Sequence, residues 1–460
     1  MIIEWIAPFL DEKLRSGSLK PERLNRFLKT SFVRKYLPKY QFGNLKRLIR
    51  FAYENTEFYK EAFDKVGLKP SDIRSFDDFS KVPLTCSKDI KDYERFFGAP
   101  KKDFIKVFSS SGTTGKPKRI FLTNDDLLRQ IRGVMSGVAM IYGVRSDDVI
   151  RITYDHGYGG DDWGTRYCLE RSYDGIGAMT VIAGGRPSAR EEYEMFKEYG
   201  VSVLMGTPSY LHSLSCEMSS FCDLKEFGLK LILLGTEPLP TEIREKLEKM
   251  WGCTVLQGFG MTEMGTSVAA ECFQKDGMHV SESDFYAEVI DPESGEVLEP
   301  GEEGELVFTT LSRRGMPLLR YRSRDRGMIL KEPCGCGLPF KRIKILGRTD
   351  TMMTIGSGDN LYPEAFTEAL IGISEIINFQ VVLSRLEGKD HIKLLVETEK
   401  ASKALEKRIL DAIMDIPEVS NGVLESKTIL MPVVEFVKIG KLGSGSVKLR
   451  KVIDNRNLYK

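Results

Sequence analysis

Between residues 149 and 257, short apolar runs alternate with helix-like segments, and this alternation restricts the fold more than any other feature of the chain. Val149–Ile152, Met179–Ile182, Val201–Leu204, Leu229–Leu234 and Thr254–Gln257 are rich in Val, Leu and Ile at consecutive positions. Such runs read as strands, the most apolar of them buried on both faces, which parallel sheets covered by helices require. Helical patterns fall between them, near Tyr210–Met218 and over Glu242–Met250 behind a cap at Thr241. The expected class is α/β, with a large N-terminal domain on a parallel sheet. Ligands in such sheets bind beyond the carboxyl ends of strands. Three loops in that position carry unusual residues: 109–118, Gly235–Pro240 and Gly258–Glu263.

The first loop reads Ser109-Ser110-Ser111-Gly112-Thr113-Thr114-Gly115-Lys116-Pro117-Lys118, between strand-like Val107-Phe108 and Ile120-Phe121-Leu122. Glycines let backbone N–H groups approach a ligand, hydroxyls add donors, and the lysines add positive charge. The ligand this chemistry suits is a polyphosphate. The Walker pattern is excluded, because Ser110 stands where its first glycine belongs and Pro117 replaces the metal-binding hydroxyl. A helix follows through about Tyr142, with Asn124-Asp125-Asp126 as its cap.

A chain of 460 residues is expected to hold more than one domain. The N-terminal domain is expected over 1–348. Within it, 284–346 changes to strands separated by turns such as Asp291–Gly295, a β-rich subdomain. Residues 349–460 form a small α+β domain: helix 362–371, strands Phe379–Ser384 and Ile392–Glu397, helix 401–414 and strand Thr428–Met431. Lys+Arg 67 against Asp+Glu 66 gives +1, which offers no reason to expect a nucleic-acid or membrane partner. The chain has no run of about 18 apolar residues, and its start has neither a basic region nor a cleavage site. Eight cysteines scattered through so long a chain suit a reducing cytoplasm.

Four residues form a possible ligand set. Cys272 and His279 precede Cys334-Gly335-Cys336-Gly337 by about fifty residues. Three thiolates and an imidazole make a Cys₃His set suited to a closed, structural zinc site; unrelated thiols are the alternative. Cys86, Cys168, Cys216, Cys222 and Cys253 read as ordinary core thiols.

Gly258-Phe259-Gly260-Met261-Thr262-Glu263 imitates a dinucleotide fingerprint, but Glu263 stands at its third glycine. An aromatic and a carboxylate at a strand end can instead stack a base and hold a metal. Taken in order, the 109–118 loop, Gly235-Thr-Glu-Pro238, Gly258–Glu263, Tyr321-Arg-Ser-Arg-Asp325, Gly347-Arg-Thr-Asp350 and a late lysine resemble the adenylate-forming superfamily. Phe51–Phe63, Thr207–Tyr210, Glu302–Arg324 and Val452–Arg456 make it similar to the phenylacetate–CoA ligase branch, from about residue 45 to the end.

The resemblance implies the adenylate-forming fold, with a small mobile C-terminal domain. It implies attack of a carboxylate on the α-phosphate of ATP, loss of pyrophosphate, and transfer of the acyl group to a thiol, usually coenzyme A. By the same resemblance Ser109, Ser110, Ser111, Gly112, Thr113, Thr114, Gly115 and Lys116 cradle the β- and γ-phosphates. Glu237 and Pro238 line the adenine site and Phe259 stacks on the ring. Thr262 contacts the α-phosphate, Glu263 holds Mg²⁺, Asp325 binds the ribose, and Arg348 lies beside ribose and phosphate. Asp350 is the hinge, and Tyr158, Gly159, Asp161 and Gly235 shape the acid pocket. Lys448 falls in the register of the catalytic lysine, set from Val452-Ile453-Asp454, with Lys441 the competing choice. Some members of the branch carry a similar cysteine set, which favours zinc.

Two stretches depart from the pattern. Gly356–Pro363 lacks the usual arginine and adds Asp359 near the expected thiol tunnel. The loop 154–164 carries Asp155, His156, Asp161 and Asp162 where relatives are less acidic. The first expectation is an acid–CoA ligase for an aryl or arylacetic acid. The others are an adenylating enzyme with another acceptor or one that nucleotidylates a cofactor, and a nucleotide-binding protein without catalysis. Monomer and homodimer both remain open.

Overall fold

The computed structural model describes residues 26, 28–109, 118–154, 164–183, 187–265, 267–348, 353–356, 359–442 and 452–456. They form two compact units. The first comprises the described residues of Met1–Gly185, Tyr199–Met205 and Leu256–Leu346; the second, those of Arg186–Glu198, Gly206–Val255 and Gly347–Lys460.

In the first unit, the helix Ser31–Asn55 starts at Thr30, whose side chain accepts from the Val33 N–H. Leu37, Leu45, Leu48 and Ile49 make its inward stripe, at the three-to-four-residue spacing of one helix face. Strands β1 (Phe104–Ser109) and β2 (Arg119–Thr123) pair antiparallel, with Ser109 opposite Arg119, so the phosphate-loop sequence connects a hairpin. The helix Asn124–Tyr142 follows. Its cap is Thr123 rather than the expected Asn124. The Asp126 N–H donates to the Thr123 hydroxyl at 3.3 Å, and the Asp126 carboxylate accepts from the Thr123 N–H at 3.2 Å. This reciprocal box satisfies two donors at once, which Asn124 alone does not.

Strands β3 (Val149–Ile152), β4 (Met179–Val181) and β5 (Val203–Gly206) run parallel, with Arg151 aligned to both Val181 and Leu204. Strand β6 (Leu231–Leu234) belongs to the second unit. The next strands are β7 (Thr254–Gly260), β8 (Ser267–Glu271), β9 (Met278–Val280), β10 (Phe285–Ile290), β11 (Gly304–Thr310), β12 (Tyr321–Ile329) and β13 (Arg342–Arg348). They lie in the order β10-β11-β12-β13-β9-β8-β7. Their ladders β7/β8, β8/β9, β9/β13, β10/β11 and β11/β12 are antiparallel, so the large domain is mixed α/β rather than wholly parallel. One core joins Leu45, Phe63, Phe108, Met264, Phe308 and Tyr321.

In the second unit, Trp251 ends the helix Thr241–Trp251 and donates its indole N–H to Ser215 Oγ on the helix Pro208–Ser219 at 2.8 Å. The expected cap Thr241 is already helical, and Pro240 is the cap residue. Toward the C-terminus, β14 (Met353–Ile355) and β15 (Asp359–Leu361) form a hairpin. A four-stranded sheet has the order β18-β17-β16-β19, from β16 (Asn378–Leu386), β17 (Lys389–Glu397), β18 (Val433–Val437) and β19 (Val452–Asp454). With the helices Pro363–Leu370 and Lys403–Met414 it makes a smaller α+β domain around Phe366, Val381, Leu394 and Ile409. The expected strand Thr428–Met431 is not one. The N–H groups of Thr428 and Ile429 donate to the Gly422 carbonyl, leaving a single bridge to Asp390, and the strand forms at Val433. Among the described residues, no helix is long and apolar enough to cross a membrane.

Candidate active site

Strand β7 ends at Gly260 and turns sharply through Thr262–Met264. Gly265 closes the turn at φ +106, and a Cβ there would lie 2.1 Å from Gln130 Nε2, so only glycine fits. The turn carries Glu263 into the protein, where it is 5% exposed rather than a surface carboxylate. Lys118, one residue beyond the phosphate-loop proline, forms an ion pair with Glu263 Oε1. The Tyr321 hydroxyl donates to the same oxygen at 2.8 Å, and Arg313 Nη1 donates to the Glu263 carbonyl at 2.5 Å. Burial works against the charged form. The Lys118 charge and the hydrogen bonds from Lys118 and Tyr321 outweigh it and hold the carboxyl below its ordinary range. Glu263 is therefore an ionised, buried carboxylate.

The remaining strand-end residues are placed as follows. Ser109, at the end of β1, and Thr262 are half-buried. Phe259 lies in β7 with its ring 5.9 Å from that of Phe308. Asp325 is 6% exposed on β12, next to a kink where Arg324 takes φ +66. Of the arginines near it, Arg322 pairs with buried Glu305 and Arg326 with Glu303. In the second unit, Gly235 is buried directly after β6, and Thr236 takes φ +69, a strained conformation for a β-branched residue. Glu237 Oε2 accepts from the Ser209 N–H at 3.1 Å, at the start of the helix Pro208–Ser219, and Pro238 is exposed. Arg348 is half-buried at the end of β13. Ser110, Ser111, Gly112, Thr113, Thr114, Gly115, Lys116, Tyr158, Gly159, Asp161, Asp350 and Lys448 lie outside the described residues. Lys441 is exposed in the turn after β18.

The four possible metal ligands come together. The neighbouring strands β8, β9 and β13 close the sequence gap: Cys272 follows β8, His279 lies in β9, and Cys334 and Cys336 lie in the β12–β13 connection. Their ligand atoms all lie within 4.8 Å of one another. Cys272 Sγ is 3.6 Å from Cys334 Sγ, and Cys336 Sγ is 3.3 Å from His279 Nε2. The other imidazole nitrogen, Nδ1, faces the Phe340 carbonyl at 3.3 Å, which orients Nε2 toward the thiols. The N–H groups of Cys336 and Leu338 donate to sulfur at 3.5 and 3.4 Å. Burial pushes the Cys272 thiol up to about 12 and lowers the imidazole's affinity for a proton. Of the other cysteines, Cys168 is buried and also pushed up to about 12 by burial, as a core thiol should be.

With this geometry in view, the model of the AMP-binding enzyme family matches residues 77–312, just over half of the chain. The model of the AMP-binding enzyme C-terminal domain matches 358–456. The chain belongs to the AMP-binding enzyme family. It is 32% identical to the phenylacetate-coenzyme A ligase of Pseudomonas putida over 368 residues, 78% of this chain and 82% of that one. To the enzyme of the same name from Aromatoleum evansii it is 35% identical, over 72% and 74% of the two chains. These relatives place it in the phenylacetate–CoA ligase branch. A crystal structure of 2-hydroxyisobutyryl-CoA ligase with 2-HIB-AMP matches the fold at a TM-score of 0.78 and 23% identity, covering 91% of this chain and 89% of that one.

The family motifs locate Glu263 but not the groups that act on it. Lys118, Tyr321 and Arg313 lie 145, 58 and 50 residues away in sequence. In the sequence Lys118 is one more charge in the loop, and Tyr321 is the first residue of the motif that ends at Asp325. Arg313 gave no signal beyond being one of two consecutive arginines.

Proposed function

We propose that this member of the family is an AMP-forming acid–CoA ligase. It activates a small carboxylic acid with ATP to an acyl-adenylate, releases pyrophosphate, and passes the acyl group to the thiol of coenzyme A. An aryl or arylacetic acid is the substrate class its relatives suggest. The observation that carries the proposal is the ionised Glu263 carboxylate, buried at a strand end and paired with a lysine at the exit of the phosphate loop.

The chemistry brings two anions together, so positioning and charge neutralisation carry the rate. On this reading Ser109 through Lys116 bind the β,γ-phosphates with backbone N–H groups, hydroxyls and an ammonium. Thr262 offers its hydroxyl to the α-phosphate. Glu237, Pro238 and Phe259 hold the adenine, Asp325 accepts from the ribose hydroxyls, and Arg348 offers positive charge beside them. Lys448 supplies the cation at the attacked phosphate. Residues 349–460 turn about Asp350 between the two steps, within a domain division at 348. Glu263 fits Mg²⁺, because it is an ionised oxygen donor already facing one cation, Lys118. When bound, that ion neutralises phosphate charge.

The Cys272, His279, Cys334 and Cys336 set fits a structural zinc ion. Zn–S bonds of about 2.3 Å at tetrahedral angles put ligand atoms roughly 3.5–3.8 Å apart, close to the 3.6 Å between Cys272 and Cys334 and the 3.3 Å between Cys336 and His279. The ion would fasten β8 and β9 to the β12–β13 connection. A cytoplasmic location agrees with unpaired, metal-suited thiols. The direct test is product formation from ATP and a panel of aryl acids. AMP and acyl-CoA appearing together, only when coenzyme A is present, is the expected result. AMP release to another acceptor, or an acyl-adenylate that persists with coenzyme A present, overturns the assignment of the thiol.

A further inference from the structure

Arg313 has no part in the reaction described above, yet it is the guanidinium closest in purpose to Glu263. It is 3% exposed and donates Nη1 to the Glu263 carbonyl. The carboxylates of Asp126 and Glu263 both stabilise its charge against burial, which nonetheless pulls its pKa down to about 10. A buried, incompletely solvated arginine is costly. Its Nε and Nη2 lie buried without a hydrogen-bond partner among the described residues, as does Gln130 Oε1. These atoms belong to residues lining a cavity of about 20 Å³ with Asp284 and Met264, enough for a single water.

The segment carrying Arg313 is fixed at the other end by Asp126. The N–H groups of Arg314 and Gly315 donate to the two Asp126 oxygens at 2.8 and 2.9 Å. A Cβ on Gly315 would lie 2.6 Å from Asp126 Oδ2, so this approach needs glycine. Asp126 also closes the capping box of the helix that begins directly after β2, the strand leaving the phosphate loop. On the far side, Gln130 of that helix donates to the Met264 carbonyl at 3.4 Å. Two consecutive carbonyls of the Glu263 turn are thus held by side chains tied to the phosphate-loop hairpin. The tie runs from β2 through Asp126 and the 313–315 backbone to Arg313 and Glu263.

We propose that Arg313 is a positioning residue for the adenylation step, holding the Glu263 turn in register with the hairpin that carries the phosphate loop. It touches no substrate; it sets where the Glu263 turn stands relative to the end of β2 and the helix that follows it. This inference rests on the function proposed above.

The test compares Arg313→Met, Arg313→Lys and, as reference, Glu263→Gln, by ATP–pyrophosphate exchange across a Mg²⁺ titration. Thioester formation from supplied acyl-adenylate is measured alongside. Arg313→Met is expected to raise the half-saturating Mg²⁺ concentration about fivefold or more and to slow exchange about tenfold or more, as misplacing a group by a fraction of an ångström does. Thioester formation stays within about twofold, since that step does not use the metal-binding carboxylate. Arg313→Lys, which keeps the charge but not the forked donor, shifts the Mg²⁺ midpoint in the same direction by less. An unchanged midpoint in both variants, or equal losses in both half-reactions, overturns the inference. If Arg313→Met does not fold, a wild-type midpoint in Arg313→Lys overturns it alone. If Glu263→Gln also leaves the midpoint unmoved, the assignment of Glu263 has failed instead.

Discussion

Tyr321→Phe isolates the electrostatics of Glu263 with the least disturbance. Tyr321 is 1% exposed in the core of the first unit, and the substitution removes one oxygen while keeping the ring. That oxygen donates to Glu263 Oε1 at 2.8 Å. A hydrogen bond to a charged group is worth about 1.5–3 kcal/mol. Because Lys118 still faces the same oxygen, the lower end applies, and about 1.4 kcal/mol corresponds to a tenfold change in rate. ATP–pyrophosphate exchange is expected to slow about tenfold. The pH profile gives the sharper test. Glu263 is held below the ordinary carboxylate range, so its ionised form stabilises the fold above the unfolded-state pKa. That contribution disappears as pH falls through the lower folded value. Losing the Tyr321 donor raises the folded value, so the acid limb of the exchange profile moves to higher pH. An acid limb and rate identical to wild type would refute the claim that Tyr321 keeps Glu263 ionised.

Purified protein should contain about one zinc per chain, with Cys336→Ala losing it and melting at a lower temperature, as structural sites contribute folding energy; metal-free protein with an unchanged melting temperature contradicts this. Lys448→Ala should abolish exchange and leave thioester formation from supplied acyl-adenylate intact, whereas wild-type exchange would move the role to Lys441 or elsewhere. Asp390→Ala removes the buried partner of Arg456, 2.6 Å away, and an acceptor for the Gly356 N–H. The C-terminal domain should lose about 3–5 kcal/mol by denaturant unfolding; a change under about 1 kcal/mol would show the pair to be dispensable.

The strands were legible where burial on both faces leaves only apolar residues, as in Leu231–Leu234. Their ends are less so: Val201 suits a strand, but β5 begins at Val203. The residues of Thr428–Met431 suit a strand, but the N–H groups of Thr428 and Ile429 are taken by the Gly422 carbonyl, a contact no local pattern reveals. The helix cap at Thr123 is written in the sequence as Thr-x-x-Asp, beside the more conspicuous Asn124. The chemistry followed the same division. Loop motifs single out Glu263 and Asp325, and residue type alone singles out the four metal-suited residues that the fold brings together. The charge state of Glu263 depends on Lys118 and Tyr321, and its main-chain carbonyl is held by Arg313; only the tertiary fold brings these three to it.

Acid-dependent ATP–pyrophosphate exchange without coenzyme A tests the central claim most directly. Exchange is expected with ATP, Mg²⁺ and an aryl or arylacetic acid, with none in the absence of an acid and none in Glu263→Gln. Exchange that needs no acid, or exchange at the wild-type rate in Glu263→Gln, would contradict it.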